Sequence, residues 1–241
     1  MKIGRMIVVG CGGIGSHYLP NVARMLGTPR PSTVIVDGDK YTGKNIGRQF
    51  LASRYNGVYK ADAMSRFLFD YYGWSVDRSD KYIHDDEEFA GMVVKGQAAL
   101  RETHGEDAVV LVALCVDNDA TRRICYDGIR MSKANVIVVD MANERTNGDV
   151  IVWGWIDGQD VGPFPPKMYP NIANPTDRPP GAYCSAQAEL PGGEQLIGTN
   201  MMAACIGVEI TRRILNDEPL CPQYMFNLSP KQGDSKMMWS M

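Results

Sequence analysis

The segment that most constrains the fold is Gly10-Cys11-Gly12-Gly13-Ile14-Gly15, which follows the short β-branched run Met6–Val9 and precedes helix-compatible sequence reaching about Leu26. A strand, a tight glycine turn and a helix in that order are what a phosphate-binding βα unit needs. Glycines permit the turn and let backbone N–H groups approach an anion at the helix N-terminus. Gly10, Gly12, Gly13 and Gly15 are therefore candidate nucleotide-binding residues. By itself this pattern names a nucleotide and no particular one.

The rest of the chain repeats the unit. Thr33–Val36 reads as a second buried strand ending at Asp37-Gly38-Asp39, with Gly27, Pro29 and Pro31 breaking the chain before it. Lys60–Tyr72 has helical periodicity, and Val109–Val116 is an apolar run without alternation, as expected of a strand covered on both faces. Ala120–Met131 reads as a helix and Val136–Val139 as a fourth parallel strand ending at Asp140. This alternation implies an α/β fold, a doubly wound, mostly parallel sheet with right-handed connections. Thr146–Trp155 adds a strand of antiparallel character on the C-terminal side. Seven prolines between Pro163 and Pro180 preclude a long helix or central strand there, so Gly158–Pro191 reads as a long crossover loop. Helical periodicity returns over Gly198–Leu215, and the tail from Lys231 has the polar, methionine-rich look of a frayed end. At 241 residues with a 44% hydrophobic fraction, the chain suits a single domain, residues 1–241, with a nucleotide-binding half of about 1–145 and a crossover loop of about 158–197.

Asp37 and Asp39 end the second strand, where an acidic residue faces the ribose of a nucleotide held by the first turn. NAD and ATP are both open at this point. The polar cluster Lys40-Tyr41-Thr42-Gly43-Lys44-Asn45-Ile46-Gly47-Arg48-Gln49 favours a triphosphate, because a nicotinamide enzyme has no use for it just past the ribose.

Asp37-x-Asp39 followed by Asn45-x-x-Arg48-Gln49 resembles the D-x-D-x(5)-N-x-x-R-Q signature of the E1-like activating enzymes, the ThiF/MoeB superfamily. Lys60 occupies the place of the family's lysine after R-Q, and Asp117-Asn118-x-x-x-Arg122 resembles its D-N-x-x-x-R element. Four motifs stand in the family's order over residues 7 to 122. Ala182-Tyr183-Cys184-Ser185 is similar to its cysteine-containing crossover loop. Val139-Asp140-x-x-Asn143-Glu144-Arg145-x-x-Gly148 resembles a subgroup from phages and mobile elements, the PRTRC type included. The resemblance implies a Rossmann-like adenylation domain that uses ATP and Mg²⁺ to adenylylate a carboxylate. The implied substrate is a small carrier protein or peptide with a free C-terminus, of the β-grasp ubiquitin-like or sulfur-carrier kind. E2-like and JAB-type proteins are implied as further partners, and homodimerisation follows from the relatives. In that scheme Asp39 binds the ribose, and Asn45 and Gln49 orient phosphates or metal. Arg48 and Lys60 neutralise phosphate charge, Arg48 as a fork and Lys60 as a point charge. Asp117 holds Mg²⁺, Asn118 and Arg122 complete the nucleotide site, and Cys184 is a candidate acyl acceptor.

Composition sets limits on the alternatives. A net charge of −3 with scattered basic residues argues against nucleic acid as the main partner, and the apolar runs are too short to span a bilayer. Six cysteines without a C-x-x-C pair suit reduced thiols in a cytoplasmic protein, and the family's zinc-binding cysteines are missing. Cys11, Cys115, Cys125 and Cys205 sit in strand or helix patterns and read as core. Homodimeric relatives carry an N-terminal helix that delivers an arginine to the partner's site, whereas this sequence opens almost at the first strand. Two other readings remain: an NAD-dependent oxidoreductase, from the glycine loop and Asp37, and a nucleotide-binding scaffold without turnover, from the missing arginine helix.

Overall fold

A computed structural model of the chain describes residues 2–51, 53–104, 108–180 and 196–229. Its centre is an eight-stranded mixed sheet. Five strands are parallel: β1 (Lys2–Val9), β2 (Ser32–Val36), β3 (Asp77–Ser79), β4 (Ala108–Leu114) and β5 (Val136–Asn143), in the order β3-β2-β1-β4-β5. Antiparallel β6 (Asn147–Ile156) continues from β5, and its far edge is shared by β7 (Gln159–Val161) and β8 (Gln223–Asn227). The expected mostly parallel sheet with antiparallel additions on the C-terminal side is thus observed.

Both faces are covered. On one side lie α1 (Gly15–Met25), α2 (Lys60–Tyr72) and α7 (Ile197–Leu215); on the other lie α3 (Asp86–His104) and α4 (Asp119–Ser132). Along β4 every residue is buried, with Val109, Leu111 and Ala113 facing the first layer and Val110, Val112 and Leu114 the second. Alternate side chains of a strand point to opposite faces, so an unbroken apolar run is what a doubly covered strand requires. Each fully buried Val or Leu contributes about 2 kcal/mol. Between α1 and α7, the buried Tyr18 hydroxyl and Thr211 Oγ1 share a hydrogen bond of 2.7 Å.

Several elements depart from the sequence reading. Strands β3, β7 and β8 and helix α3 had no counterpart in it. The proline-rich segment, read as loop, holds two single-turn helices, α5 (Pro165–Met168) and α6 (Pro170–Ala173), each with proline at its first position, where no N–H is needed. Cys11, Cys115 and Cys125 are buried as expected, but Cys205 is exposed, because it lies on the outer face of α7. Among the described residues, no helix is long and apolar enough to cross a membrane.

Register aligns the strand ends in one row, Ser79, Val36, Val9, Leu114 and Asp140. The chain leaves β1 toward β2 in one direction and reaches β4 in the other, so the sheet has its switch point between β1 and β4. A cleft opens there at the carboxyl ends of the strands, as it does in open α/β sheets.

Candidate active site

At the switch point Gly10 has φ +95° and lies against the Cys115 carbonyl, which an added Cβ would meet at 2.6 Å. Only glycine combines that conformation with that approach. The turn is tied to β2 by Asp37, whose carboxylate accepts the backbone N–H of Cys11 at 2.5 Å and of Asp39 at 2.9 Å. Asp37 thus braces the turn through Oδ2 and its own strand end through Oδ1, while Asp39, half exposed, presents the more open carboxylate to the cleft.

The second wall is the segment between β2 and α2. Asn45 Oδ1 accepts the backbone N–H of Thr42 at 2.8 Å and its hydroxyl at 3.1 Å, closing a single 3-10 turn at Gly43–Asn45. Arg48 and Gln49 follow on backbone bonds to the Asn45 carbonyl, and both line the cleft. Gln49 is buried, and its Oε1 has no hydrogen-bond partner among the described residues. Lys60, the first residue of α2, donates its backbone N–H to the Asp39 carbonyl and its Nζ to Asp39 Oδ2, each at 2.8 Å. Burial opposes the Lys60 charge, but the neighbouring carboxylates of Asp37 and Asp39 outweigh it and hold the ammonium protonated above its ordinary range. For Asp39, burial works toward protonation, and Lys60 and the Tyr82 hydroxyl more than reverse it, leaving the carboxyl below its usual range.

The third wall is the start of α4. Asp117 lines the cleft. Asn118 is the N-cap of α4, its Oδ1 accepting the Thr121 N–H at 2.8 Å. Asp177, from the proline-rich segment, accepts the next free donors, Asp119 N–H at 2.7 Å and Ala120 N–H at 2.9 Å. Arg122 is buried and binds Asp140 at 3.0 Å, Asp119 at 3.3 Å and the Val116 carbonyl at 2.5 Å, while Tyr126 donates to the other Asp140 oxygen at 2.8 Å. Its charge is held by Asp140 against the cost of burial.

Beyond Asp140 the cleft continues past Asn143, Glu144, Asn147, Asp149 and Tyr169, giving a volume of about 700 Å³ in all. Asp149 is pushed above its usual range by burial, and the nearby Glu144 and Asp140 add to the effect.

Of the residues singled out from sequence, Gly10, Gly12, Gly13, Asp37, Asp39, Asn45, Arg48, Gln49, Lys60, Asp117, Asn118 and Arg122 all line this one cleft. Gly15 does not, and instead packs beneath the turn against the Gly10 carbonyl. Cys184 lies outside the described residues. The buried thiols Cys11 and Cys115 are pushed above the ordinary cysteine range by burial, which disfavours the thiolate. Sequence reading missed Tyr82, which bonds Asp39, and Asp177, which caps α4. It also missed Asn200, buried against Gly13 with both amide atoms unpartnered among the described residues.

The ThiF family model matches residues 2–238 of the chain. No curated protein matches it by sequence. Among solved structures, E. coli tRNA N6-threonylcarbamoyladenosine dehydratase, TcdA, in complex with ATP superposes with a TM-score of 0.57 at 15% identity, covering 89% of this chain and 86% of that one. E. coli MccB with AMPCPP and MccA gives 0.55 at 15% identity, covering 96% and 66%. PaaA gives 0.56 at 14% identity, covering 93% and 60%. This chain therefore spans less than two thirds of PaaA and MccB, and at such identities the likeness is one of fold.

Proposed function

The chain belongs to the ThiF family, and from that premise we propose that it is an adenylyltransferase that activates a carboxylate with ATP. A carboxylate oxygen attacks the α-phosphorus, forming an acyl–phosphate O–P bond as the bond to pyrophosphate breaks; the products are an acyl adenylate and pyrophosphate. Both reactants are anions, so positioning and charge compensation carry the catalysis. The observation that supports this reading most is the convergence of Arg48, Lys60 and Asp117 with the glycine turn on one cleft. Backbone N–H groups at the start of α1 would receive phosphate, and Asp39 would take the ribose hydroxyls. Arg48 and Lys60 would offset phosphate charge, and Asn45 and Gln49 would orient it. The Gln49 Oε1, unpartnered among the described residues, is in keeping with a group awaiting a partner.

Magnesium fits the donors present. Among the described residues no cluster of three or more metal-ligating side chains occurs, and magnesium characteristically takes one or two carboxylates together with phosphates and water. Asp117 would supply that carboxylate. When bound, the ion would offset phosphate charge.

The reading extends to finer proposals. The acceptor is the C-terminus of a small ubiquitin-like or sulfur-carrier protein, or of a peptide; the neighbour MccB was crystallised with MccA, which supports a small partner. Cys184 is proposed as the acyl acceptor of a later step. E2-like and JAB-type proteins are proposed downstream, and a homodimer is proposed as the assembly. A cytoplasmic protein of the phage or mobile-element subgroup completes the proposal.

ATP–pyrophosphate exchange with a panel of carrier tails tests it. Exchange should depend on a free tail carboxylate and disappear when that carboxylate is amidated. It should fall about 100-fold in Lys60→Met, which removes a cation from the cleft and leaves Asp39 without its ion pair, while Cys184→Ser should keep exchange and lose only transfer. Preference for NAD over Mg-ATP in titration, or nucleotide binding without exchange on any tail, would sink the proposal in favour of an oxidoreductase or a scaffold.

A further inference from the structure

Tyr82 follows β3 and stands in the cleft wall between Lys81 and Ile83, on the side of the nucleotide residues. Two features fix it there. Its hydroxyl donates a short hydrogen bond to Asp39 Oδ1. Its ring lies flat on Gly38, so closely that a Cβ on that glycine would fall 2.8 Å from Cγ and Cδ2 and 2.9 Å from Cδ1. The ring also meets His84 edge-on at 6.1 Å. Lys60 grips the same carboxylate from the other side through Oδ2 at 2.8 Å, and its own side chain is only 8% exposed. Asp39 is therefore clamped between two donors that have little freedom themselves, one held by shape and the other by burial. Yet 49% of the Asp39 side chain remains exposed. A carboxylate offers about four lone-pair directions, and two donors leave room for two more.

We infer that Tyr82 is a positioning residue: with Lys60 it fixes the Asp39 carboxylate so that its remaining lone pairs receive the two vicinal hydroxyls of a ribose. The inference rests on the reading of Asp39 as the ribose-binding residue and adds what orients it. Burial and the Asp39 carboxylate both push the Tyr82 hydroxyl above its ordinary range, favouring the protonated form that donates to Asp39. Gly38 acquires a role with it. Its missing Cβ is what lets the ring come close enough to reach Asp39.

The test separates this role from a merely structural one by comparing ATP with 2′,3′-dideoxy-ATP, which keeps the base and triphosphate and lacks the two hydroxyls. Dissociation constants are measured by titration calorimetry for the wild type, Tyr82→Phe and Gly38→Ala, with thermal melting as a check on folding. The wild type is expected to prefer ATP. Tyr82→Phe keeps the ring and loses the bond; Gly38→Ala keeps the hydroxyl and displaces the ring. Both variants should weaken ATP about tenfold, the scale of a hydrogen bond to a charged group, and leave dideoxy-ATP within about twofold of wild type. Equal losses for both nucleotides, or full discrimination retained in Tyr82→Phe, would overturn the role of Tyr82 while leaving Asp39 in place. A wild type that binds the two nucleotides alike would overturn the ribose reading of Asp39 and this inference with it.

Discussion

Gly12 and Gly15 belong to the same short motif and answer to different neighbours. A Cβ on Gly12 would meet only the Gln49 amide at 3.7 Å, an ordinary contact, whereas on Gly15 it would lie 2.0 Å from the Gly10 carbonyl oxygen and 2.9 Å from its carbon. Backbone cannot give way as a side-chain tip can. Gly15→Ala should therefore destabilise the fold by about 3 kcal/mol, the upper range for overpacking, while Gly12→Ala stays within about 1 kcal/mol of wild type. Urea denaturation midpoints measure both, and equal losses would contradict the division. The spacing of these glycines was legible in the sequence because it is local, but their division of labour was not, because it depends on what the turn folds against. Tyr82 shows the same limit. One tyrosine after a three-residue strand carries no pattern, and only parallel pairing of β3 with β2 brings it to Asp39.

Between elements, the buried group Arg122–Asp140–Tyr126 joins α4 to the end of β5. The sequence placed Arg122 in the nucleotide site; the structure commits its donors to Asp140, Asp119 and the Val116 carbonyl while leaving it on the cleft wall. Asp140 is 1% exposed, so removing its cation strands a buried carboxylate. Arg122→Met should cost about 3–5 kcal/mol, with a large part recovered in Arg122→Met combined with Asp140→Asn, since the second change removes the orphaned charge. Chemical denaturation of the singles and the double tests this. A stable Arg122→Met that simply fails to bind ATP would instead assign the arginine to the ligand. The strands that became legible early, such as β4, carry continuous apolar runs dictated by burial on both faces. Those that escaped lack such a signal: β3 is Asp-Arg-Ser at a sheet edge, and β7 is exposed throughout. Helix α3 opens on Asp86, Glu87 and Glu88, a recognisable start, but glycines at 91 and 96 interrupt its pattern. Likewise the segment carrying Asp177 reads as proline-rich loop, and its hold on α4 comes only from the tertiary fold.

Across the whole molecule, charge is divided along the cleft. Lys40, Arg48, Lys60 and Lys81 stand on the side of β1 and β2 and outnumber the carboxylates of Asp37 and Asp39 there; Glu144 and Asp149 line the end past β5, where, among the described residues, the one basic lining residue, Arg122, is paired with Asp140. On the proposed function, a triphosphate would be drawn to the first side. The proposed substrate carboxylate would then enter from elsewhere, and at the far end it would meet charge of its own sign. Repulsion between charges a few ångströms apart in a partly enclosed cleft amounts to about 1 kcal/mol or more, so the approach favours a tail whose neighbouring residues bring positive charge. Peptide tails with Lys two or three residues before the C-terminus should therefore support pyrophosphate exchange with kcat/KM about tenfold above tails with Glu there. The ratio should shrink as salt rises, since added ions screen charges in proportion to their exposure. Glu144→Gln should narrow the same ratio without weakening Mg-ATP, because Glu144 lies at the opposite end from the phosphate residues. Tails with Glu that turn over as fast as tails with Lys, at low salt and with ATP bound, would mean that the substrate does not pass this end of the cleft.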